Sequence, residues 1–567
     1  MKHLYTLFLL LFLISFSNTS AQNSIIDDMV AEASSNSDLE RLAHELLDVV
    51  GPRLVGTPQM EHASQWAIEQ YKKWGIEARQ EQYGTWRGWE RGITHIDMMS
   101  PRIQTLDGMQ LAWNLSTGSA GVTAEVITLP ENVKDSLDFK QWLPNVKGKF
   151  VLVSMKQPTG RPDYNWEEFA TEESFTKMKD ERDSLTMAWR TNLRRTGFNR
   201  RSIIRALEDA GAAGIVASNW SRGFGVNKIF SARTKVIPTV DMELEDYTML
   251  YRMVEYGDKP ILEIVAESKE LGEVPTFNTI GEIRGTEKPK EYIVLSAHFD
   301  SWDGGTGATD NGTGTLVMME AMRLLKKFYP NPKRTIIVGH WGSEEQGLNG
   351  SRAFVEDHPE IVKNIQASFN QDNGTGRVVN ISGAGFLHAY DYLGSWLAAV
   401  PRDITQHIET NYPGSPSGGG SDNASFLAAG APAFNLSALN WSYWNYTWHT
   451  NRDTYDKIIF DDLKNNAILT AILTYMASED PDKTSTEKIF LKKHGKRFTK
   501  LRKKSVKLME TRTRPIHNKN SLHKEFPKKK ASAFCPENFI NLRRWFHPAN
   551  FEFDSDVSKV NDSSAQI

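Results

Sequence analysis

The chain has 567 residues, 40% hydrophobic and 24% charged, with a net charge of −3 and a single cysteine. That length exceeds one ordinary core, because chains beyond about 250–300 residues usually split into several, and the composition excludes global disorder. The near-neutral balance gives no ground for a specific nucleic-acid partner, and the lone Cys535 excludes an intrachain disulfide.

Lys2 and His3 precede an apolar run over 4–16, followed by small and polar residues to Ala21. This is the layout of a secretory signal peptide over 1–21, cleaved before Gln22. The apolar run is shorter than the ~20 residues of a membrane span, and no later stretch is apolar enough for one. The expected location is therefore periplasmic or extracellular. Residues 24–80 read as helical, with Leu39, Leu42, Leu46 and Val49 at helix spacing before Gly51-Pro52, and a second periodic stretch over about 61–74 that Gly75 stops.

Over 105–265 the texture changes to short β-rich runs at 122–129, 149–155, 214–217 and 261–266, around a charged helical stretch at 165–210. This predicts a lobe inserted into a discontinuous main domain, 22–104 and 266–484. From 275 to 478 strands and helices alternate, with strands at 292–296, 335–338, 365–369 and 433–436 and a helix at 316–328. Alternation of this kind predicts an α/β fold, a mixed central sheet flanked by helices, with ligands at the carboxyl ends of its strands. The basic extension over 485–567 carries seventeen Lys/Arg against three acids between 485 and 530. It reads as poorly ordered, with contact to anionic surfaces as the functional alternative.

The polar residues fall where that architecture puts a site. His298, Asp300 and Asp310 follow the first strand, Glu344 and Glu345 the second, Asp372 the third, and His449 comes after the last. Imidazole and carboxylate donors at strand ends suit zinc. Two histidines and three carboxylates exceed what one catalytic zinc uses, and they suit two metals about 3.5–4 Å apart. The neighbour in Glu344-Glu345 is then free to act as general base. Each piece alone is weak: a single His-x-Asp or Glu-Glu is ordinarily a surface feature. Other motifs fail. The run Gly305-Thr-Gly-Ala-Thr-Asp310 puts a carboxylate where a dinucleotide loop needs glycine, and no His-Glu-x-x-His occurs.

The order His-x-Asp, Asp-Asn-Gly, Glu-Glu, Asp, His-Thr resembles the M28 family of co-catalytic zinc peptidases, and within it the branch similar to carboxypeptidase Q. The most specific stretches are His298-Phe-Asp-Ser-Trp-Asp-Gly-Gly-Thr-Gly-Ala-Thr-Asp310-Asn-Gly, Gly51-Pro-Arg-Leu-Val-Gly-Thr-Pro58 and Ser421-Asp-Asn-Ala-Ser-Phe-Leu-Ala-Ala-Gly-Ala-Pro432. The resemblance implies a zinc exopeptidase fold and two Zn2+ per chain. It implies His298, Asp310, Glu345, Asp372 and His449 as ligands, with Asp310 bridging. It also implies Glu344 as base and Asp300 as the residue that orients His298. Residues 105–265 would be a protease-associated-like lobe that shapes the substrate site. Asn311 stands where the family often has a second Asp, which is not a ligand.

Asp422 is a candidate for holding a substrate amine, with a turn cap as the plainer role. Trp448, among Trp441, Tyr443, Trp444 and Tyr446, is a candidate pocket wall, with simple packing as the alternative. The expected activity is hydrolysis of peptides or dipeptides, and a homodimer is compatible with it. The alternatives are glutaminyl-cyclase-like amide chemistry at a single metal, and a binding or scaffold protein that has lost its chemistry.

Overall fold

Among the described residues, fourteen strands form one continuous sheet. They are β1 (Glu77–Ser100), β2 (Gln104–Thr105), β3 (Gly108–Gln110), β4 (Val122–Thr128), β5 (Phe150–Leu152), β6 (Gly214–Ala217), β7 (Thr239–Met242), β8 (Ile261–Ile283), β9 (Lys288–His298), β10 (Arg334–Trp341), β11 (Ile365–Asn370), β12 (Val378–Ser382), β13 (Glu409–Asn411) and β14 (Ala433–Ala438). This computed structural model describes residues 24–416 and 419–489. The expected signal peptide and most of the basic extension lie outside the described residues. The first residues of that extension pack on the fold: Ile489 N–H donates to Gly385 O, and Lys488 Nζ donates to Leu427 O at 2.9 Å.

The strand order runs β13-β12-β14-β11-β9-β10-β8-β4-β5-β6-β7-β3. In the half that carries the site, β10, β9, β11 and β14 are parallel neighbours, edged by antiparallel β8 and β12. All eight residues of β10 and all six of β11 are buried. Strands buried on both faces need continuous apolar runs, which is how 335–338 and 365–369 read. Helices Thr313–Phe328 and Phe460–Glu479 pack over this sheet, and their Leu316, Met319, Leu469 and Ile472 join Ile293, Leu295, Ile337 and Phe369 in one core.

A second sheet region, β3 to β7, holds its own apolar clusters around Val126, Phe150, Val240 and Leu262, and around Phe139, Val151, Leu207 and Ile215. The two regions are joined by β1 and β8, which pair antiparallel from Glu77↔Glu282 to Ser100↔Ile261. Gly75 (φ 72°) closes the helix Pro58–Lys73, as its place after the periodic stretch predicts. The helical expectation for 24–80 fails only beyond it, where Glu77 begins a strand whose partner lies about 200 residues later. Local periodicity carries no trace of such a distant partner.

Arg53, in the first motif, is fully buried. Its guanidinium donates to Phe299 O (2.7 Å), Thr306 O (2.9 Å) and Gly307 O (2.8 Å), and to Gly51 O at 3.2 Å. Burial pulls it down to about 10, with Asp453, Asp300 and Asp310 opposing, so it stays charged at neutral pH. One side chain thus ties down the loop between His298 and Asp310. Arg53→Met leaves the carbonyls of Phe299 and Thr306 without a donor, while Gly307 O keeps that of Gly312 N–H. At about 1–3 kcal/mol per buried unsatisfied group, stability falls by more than about 2 kcal/mol in urea denaturation. An unchanged midpoint contradicts the clamp.

The helix over 24–35 is docked by Glu32, which pairs with Arg323 and Lys327 at 2.7 Å each. Those hydrogen bonds hold its carboxyl down at about 2, below the ordinary 4.5. A lowered folded-state pKa stabilises above the unfolded value and fades as pH falls through the folded one. Glu32→Gln should therefore melt lower than the parent at pH 7, and the gap should narrow between pH 4.5 and about 2, read by calorimetry.

Candidate metal centre

The parallel strands deliver the site by ending together. β9 ends at His298; Glu344 and Glu345 follow β10; Asp372 follows β11; and the segment after β14 returns with His449. His298 Nε2 lies 3.3 Å from Asp372 Oδ1 and 3.6 Å from Asp310 Oδ1. His449 Nε2 lies 2.9 Å from Glu345 Oε2 and 3.4 Å from Asp310 Oδ2. His298, Asp310 and Asp372 therefore form one potential ligand group, and Asp310, Glu345 and His449 a second, with donor atoms inside 4.8 Å in each. Asp310 belongs to both. Its Oδ2 and Glu345 Oε1 are buried without a hydrogen-bond partner. Buried carboxylate oxygens left unpaired are costly unless a cation uses them, and mixed imidazole and carboxylate donors match zinc. The residues fit a metal pair.

The electrostatics agree with that fit. Burial holds His449 down to about 4 against the pull of Asp310, so its ring is neutral at pH 7, as a ligand must be. For His298 burial pulls down, but Asp372, Glu344, Asp300 and Asp310 together lift it well above 6.5. The pocket thus stabilises positive charge at that place. Burial pushes Glu344 and Glu345 well above the ordinary carboxylate range. His298 opposes both shifts; Asp372, Glu345 and Asp422 reinforce that of Glu344, and Asp310 leads the acids that reinforce that of Glu345.

Asp300 does not take the role expected of its side chain in full. His298 Nδ1 faces Asp300 O at 2.9 Å, while the carboxylate stands 3.7 Å away. That carboxylate instead accepts the backbone N–H groups of Glu344 (3.0 Å) and Glu345 (3.3 Å). It positions the acids after β10 as much as the imidazole. Asp422 is fully buried, and both its oxygens lack a hydrogen-bond partner. It makes no side-chain cap on helix Asn423–Ala428, so the capping alternative is not realised. Burial, reinforced by Asp372 and Asp300, puts its carboxyl at about 7, with His298 and the Ser351 hydroxyl opposing. Trp448 stacks on His449, ring centroids 3.9 Å apart. Tyr443 is buried, whereas Trp441 and Trp444 are more than half exposed, so the aromatic cluster divides between packing and surface.

Several residues with clear parts in the site were not assigned one from sequence. Asp453 accepts the backbone N–H groups of Thr309 (2.8 Å) and Asp310 (3.0 Å) and so fixes the residue common to both groups. Trp302 Nε1 donates to Glu345 Oε2 at 2.8 Å. Asp303 is gripped through both oxygens by Arg91 of β1 (2.7 and 2.9 Å). Asp453, Trp302 and Asp303 all lie inside the motifs that carry the ligands, which was the available signal. By contrast His340, also buried, pairs with Tyr71 Oη at 2.6 Å and serves packing. The site opens into a small recess lined by Trp302, Gly307, Asp310, His449, Thr450 and Asp453. A larger apolar cavity of about 370 Å3, between Val55, Met60, Val274 and Phe277, contains none of these ligands.

Residues 278–474 match peptidase family M28. Human carboxypeptidase Q is 27% identical over 80% of this chain and 88% of its own length. A probable glutamate carboxypeptidase of Arabidopsis thaliana is 35% identical over a shorter region, 30% of this chain and 28% of its own. Among solved structures, a peptidase M28 precursor from Shewanella amazonensis superposes with a TM-score of 0.60 at 22% identity, over 82% of this chain and 98% of that one. A zinc aminopeptidase from Bacillus subtilis superposes at 0.50 and 18%, over 80% and 97%. The domain that carries the clustered ligands, residues 278–474, thus belongs to peptidase family M28.

Proposed function

We propose that this chain is an exported, zinc-dependent exopeptidase that cuts peptides or dipeptides at a two-metal site, with Glu344 as general base. One observation carries the reading: two ligand groups share Asp310. A single-metal amide chemistry needs only one such group, and a non-catalytic relative would have little reason to keep both. When bound, paired zinc ions supply Lewis acidity toward the scissile carbonyl and acidify water.

The protein's own part is positioning and proton transfer. Asp300 holds the backbone of Glu344 and Glu345, and Asp453 holds that of Asp310. Glu344 takes a proton from the attacking water and delivers it to the leaving nitrogen. The buried, unpaired carboxylate of Asp422 supports a contact with the substrate amine. Trp448 would wall the site. Residues 105–265 would act as a lobe over the main domain, shaping what enters. The segment over 1–21 supports export. Among the described residues no helix is long and apolar enough to cross a membrane.

Glu344→Ala should lower kcat by about 10²–10⁴-fold, the usual worth of a general base, with zinc content retained. Activity near that of the parent in this variant removes the base assignment. His298→Ala should lose zinc by elemental analysis, and an unchanged metal content contradicts its place as a ligand. A dipeptide panel with and without chelator tests the activity itself.

A further inference from the structure

Between Ser184 and Leu207 the chain carries Arg190, Arg194, Arg195, Arg200, Arg201 and Arg205 and no acid, although the whole chain is net negative. The run spans the end of helix Glu172–Arg195, a turn at Gly197 (φ 80°) and the start of helix Arg200–Asp209. Arg205 pairs with Glu208. The other five are exposed, and among the described residues none of them forms an ion pair. Arg200 and Arg201 occupy the first turn of their helix, which holds no acid. That is the positive end of the helix dipole, where a cation is locally disfavoured. Arg233 joins the group: partial burial pulls its guanidinium down, and the like charge of Arg201 adds to that pull. The segment after it is held on the same helix by Glu208, whose Oε1 accepts the N–H groups of Lys235 (2.7 Å), Val236 (2.6 Å) and Ile237 (3.2 Å). On the other side Asn192 pins Val133 N–H (2.8 Å) and Pro130 O (2.6 Å). That neighbouring stretch, 131–140, sets Glu131, Asp135 and Asp138 against Lys134 and Lys140, too little to cancel the arginines.

Three exposed apolar side chains border these arginines. Met187, 68% exposed, shares a stripe of its helix with Arg190 and Arg194, at i, i+3 and i+7. Leu137, 64% exposed, follows Ser136, which packs on the turn so closely that a Cβ at Gly197 would come within 2.9 Å of Ser136 Cβ. Val236, 73% exposed, is fixed beside the second helix by Glu208. Like charges gathered without partners form a field that attracts an anionic surface. A dissolved polyanion would answer the guanidinium groups and leave the apolar tips in water. A lipid interface takes both, because phosphate headgroups meet the cations and the acyl boundary accepts the tips. We infer that this face, 187–205 with 136–137 and 233–236, docks on the surface of an anionic phospholipid bilayer. It involves none of the metal-ligand candidates and stands apart from the hydrolase reading.

The test is co-sedimentation of the full chain with vesicles of phosphatidylcholine alone and of phosphatidylcholine with about 30% phosphatidylglycerol. The parent should bind the anionic vesicles and not the neutral ones. Changing Arg194, Arg195, Arg200 and Arg201 together to Gln should weaken that binding at least about tenfold, whereas Lys at the same four positions should keep most of it. Leu137→Ser, Met187→Ser and Val236→Ser combined should weaken it several-fold with the arginines intact. The basic extension is a rival source of attraction, so Lys528→Gln, Lys529→Gln and Lys530→Gln are combined in a separate variant. It should lose less than the arginine variant does. A parent that ignores anionic vesicles, or an arginine-to-Gln variant that binds them like the parent, overturns the inference. So does a larger loss in the Lys528–Lys530 variant, which would assign the attraction to the extension. An apolar triple variant that binds like the parent overturns the lipid surface as the partner, since only charge would then be read.

Discussion

Crowding acids into one dry volume is the constraint from which the rest of this structure follows. Asp310, Glu345, Asp372, Glu344, Asp300, Asp422 and Asp453 face each other closely enough to perturb one another. Like charges held together in a poorly solvated pocket repel strongly, so such a cluster persists only if something positive or some rigid donor answers each oxygen. Part of the answer is backbone amide, as at Asp300 and Asp453. Part is the guanidinium of Arg53, which works at one remove through carbonyls. Asp310 Oδ2 and Glu345 Oε1 are left without a hydrogen-bond donor, as suits oxygens that answer a cation.

That division of labour explains why the surroundings are so heavily tied. A ligand acid can meet a cation accurately only if its own backbone cannot move away from its neighbours. The loop from Phe299 to Asp310 is anchored by Arg53 at one side and Asp453 at the other. The loop after β10 hangs from the Asp300 carboxylate. His449 sits at φ 61°, a left-handed conformation uncommon for any residue but glycine. Its carbonyl is held by Ile229 N–H. Rigidity here is built from hydrogen bonds between loops rather than from the strands alone.

Much of this was legible in the sequence because it is written in period and order. β10 and β11 are buried on both faces, so their apolar runs are continuous, and the polar residues after them stand out. His298, Asp310, Glu345, Asp372 and His449 could be picked for that reason. What could not be read was anything that depends on partners far apart in the chain. β1 and β8 alternate weakly and find each other across all the residues between Ser100 and Ile261, so the strand from Glu77 went unseen. Arg53 lies in a noticed motif, yet its targets are carbonyls, which leave no mark in a sequence. Lys228 is buried, yet it sits in Val226-Asn-Lys-Ile-Phe230, where nothing local distinguishes a buried cation from a solvated one. The carboxylate of Asp300 was expected to orient His298; its nearer contacts are two backbone amides, again invisible without coordinates.

The stitching of 227–230 to 449–451, by Ile229 N–H to His449 O and Asn451 N–H to Asn227 O, has a bearing on how the molecule can come into being. The histidine loop is made late in translation, and the strip of chain it is moulded on belongs to a segment synthesised some 220 residues earlier. Residues 227–230 thus act as a template for the loop that carries His449. A chain without them would need another surface on which to set that histidine, so changes in the two segments would have to occur in step.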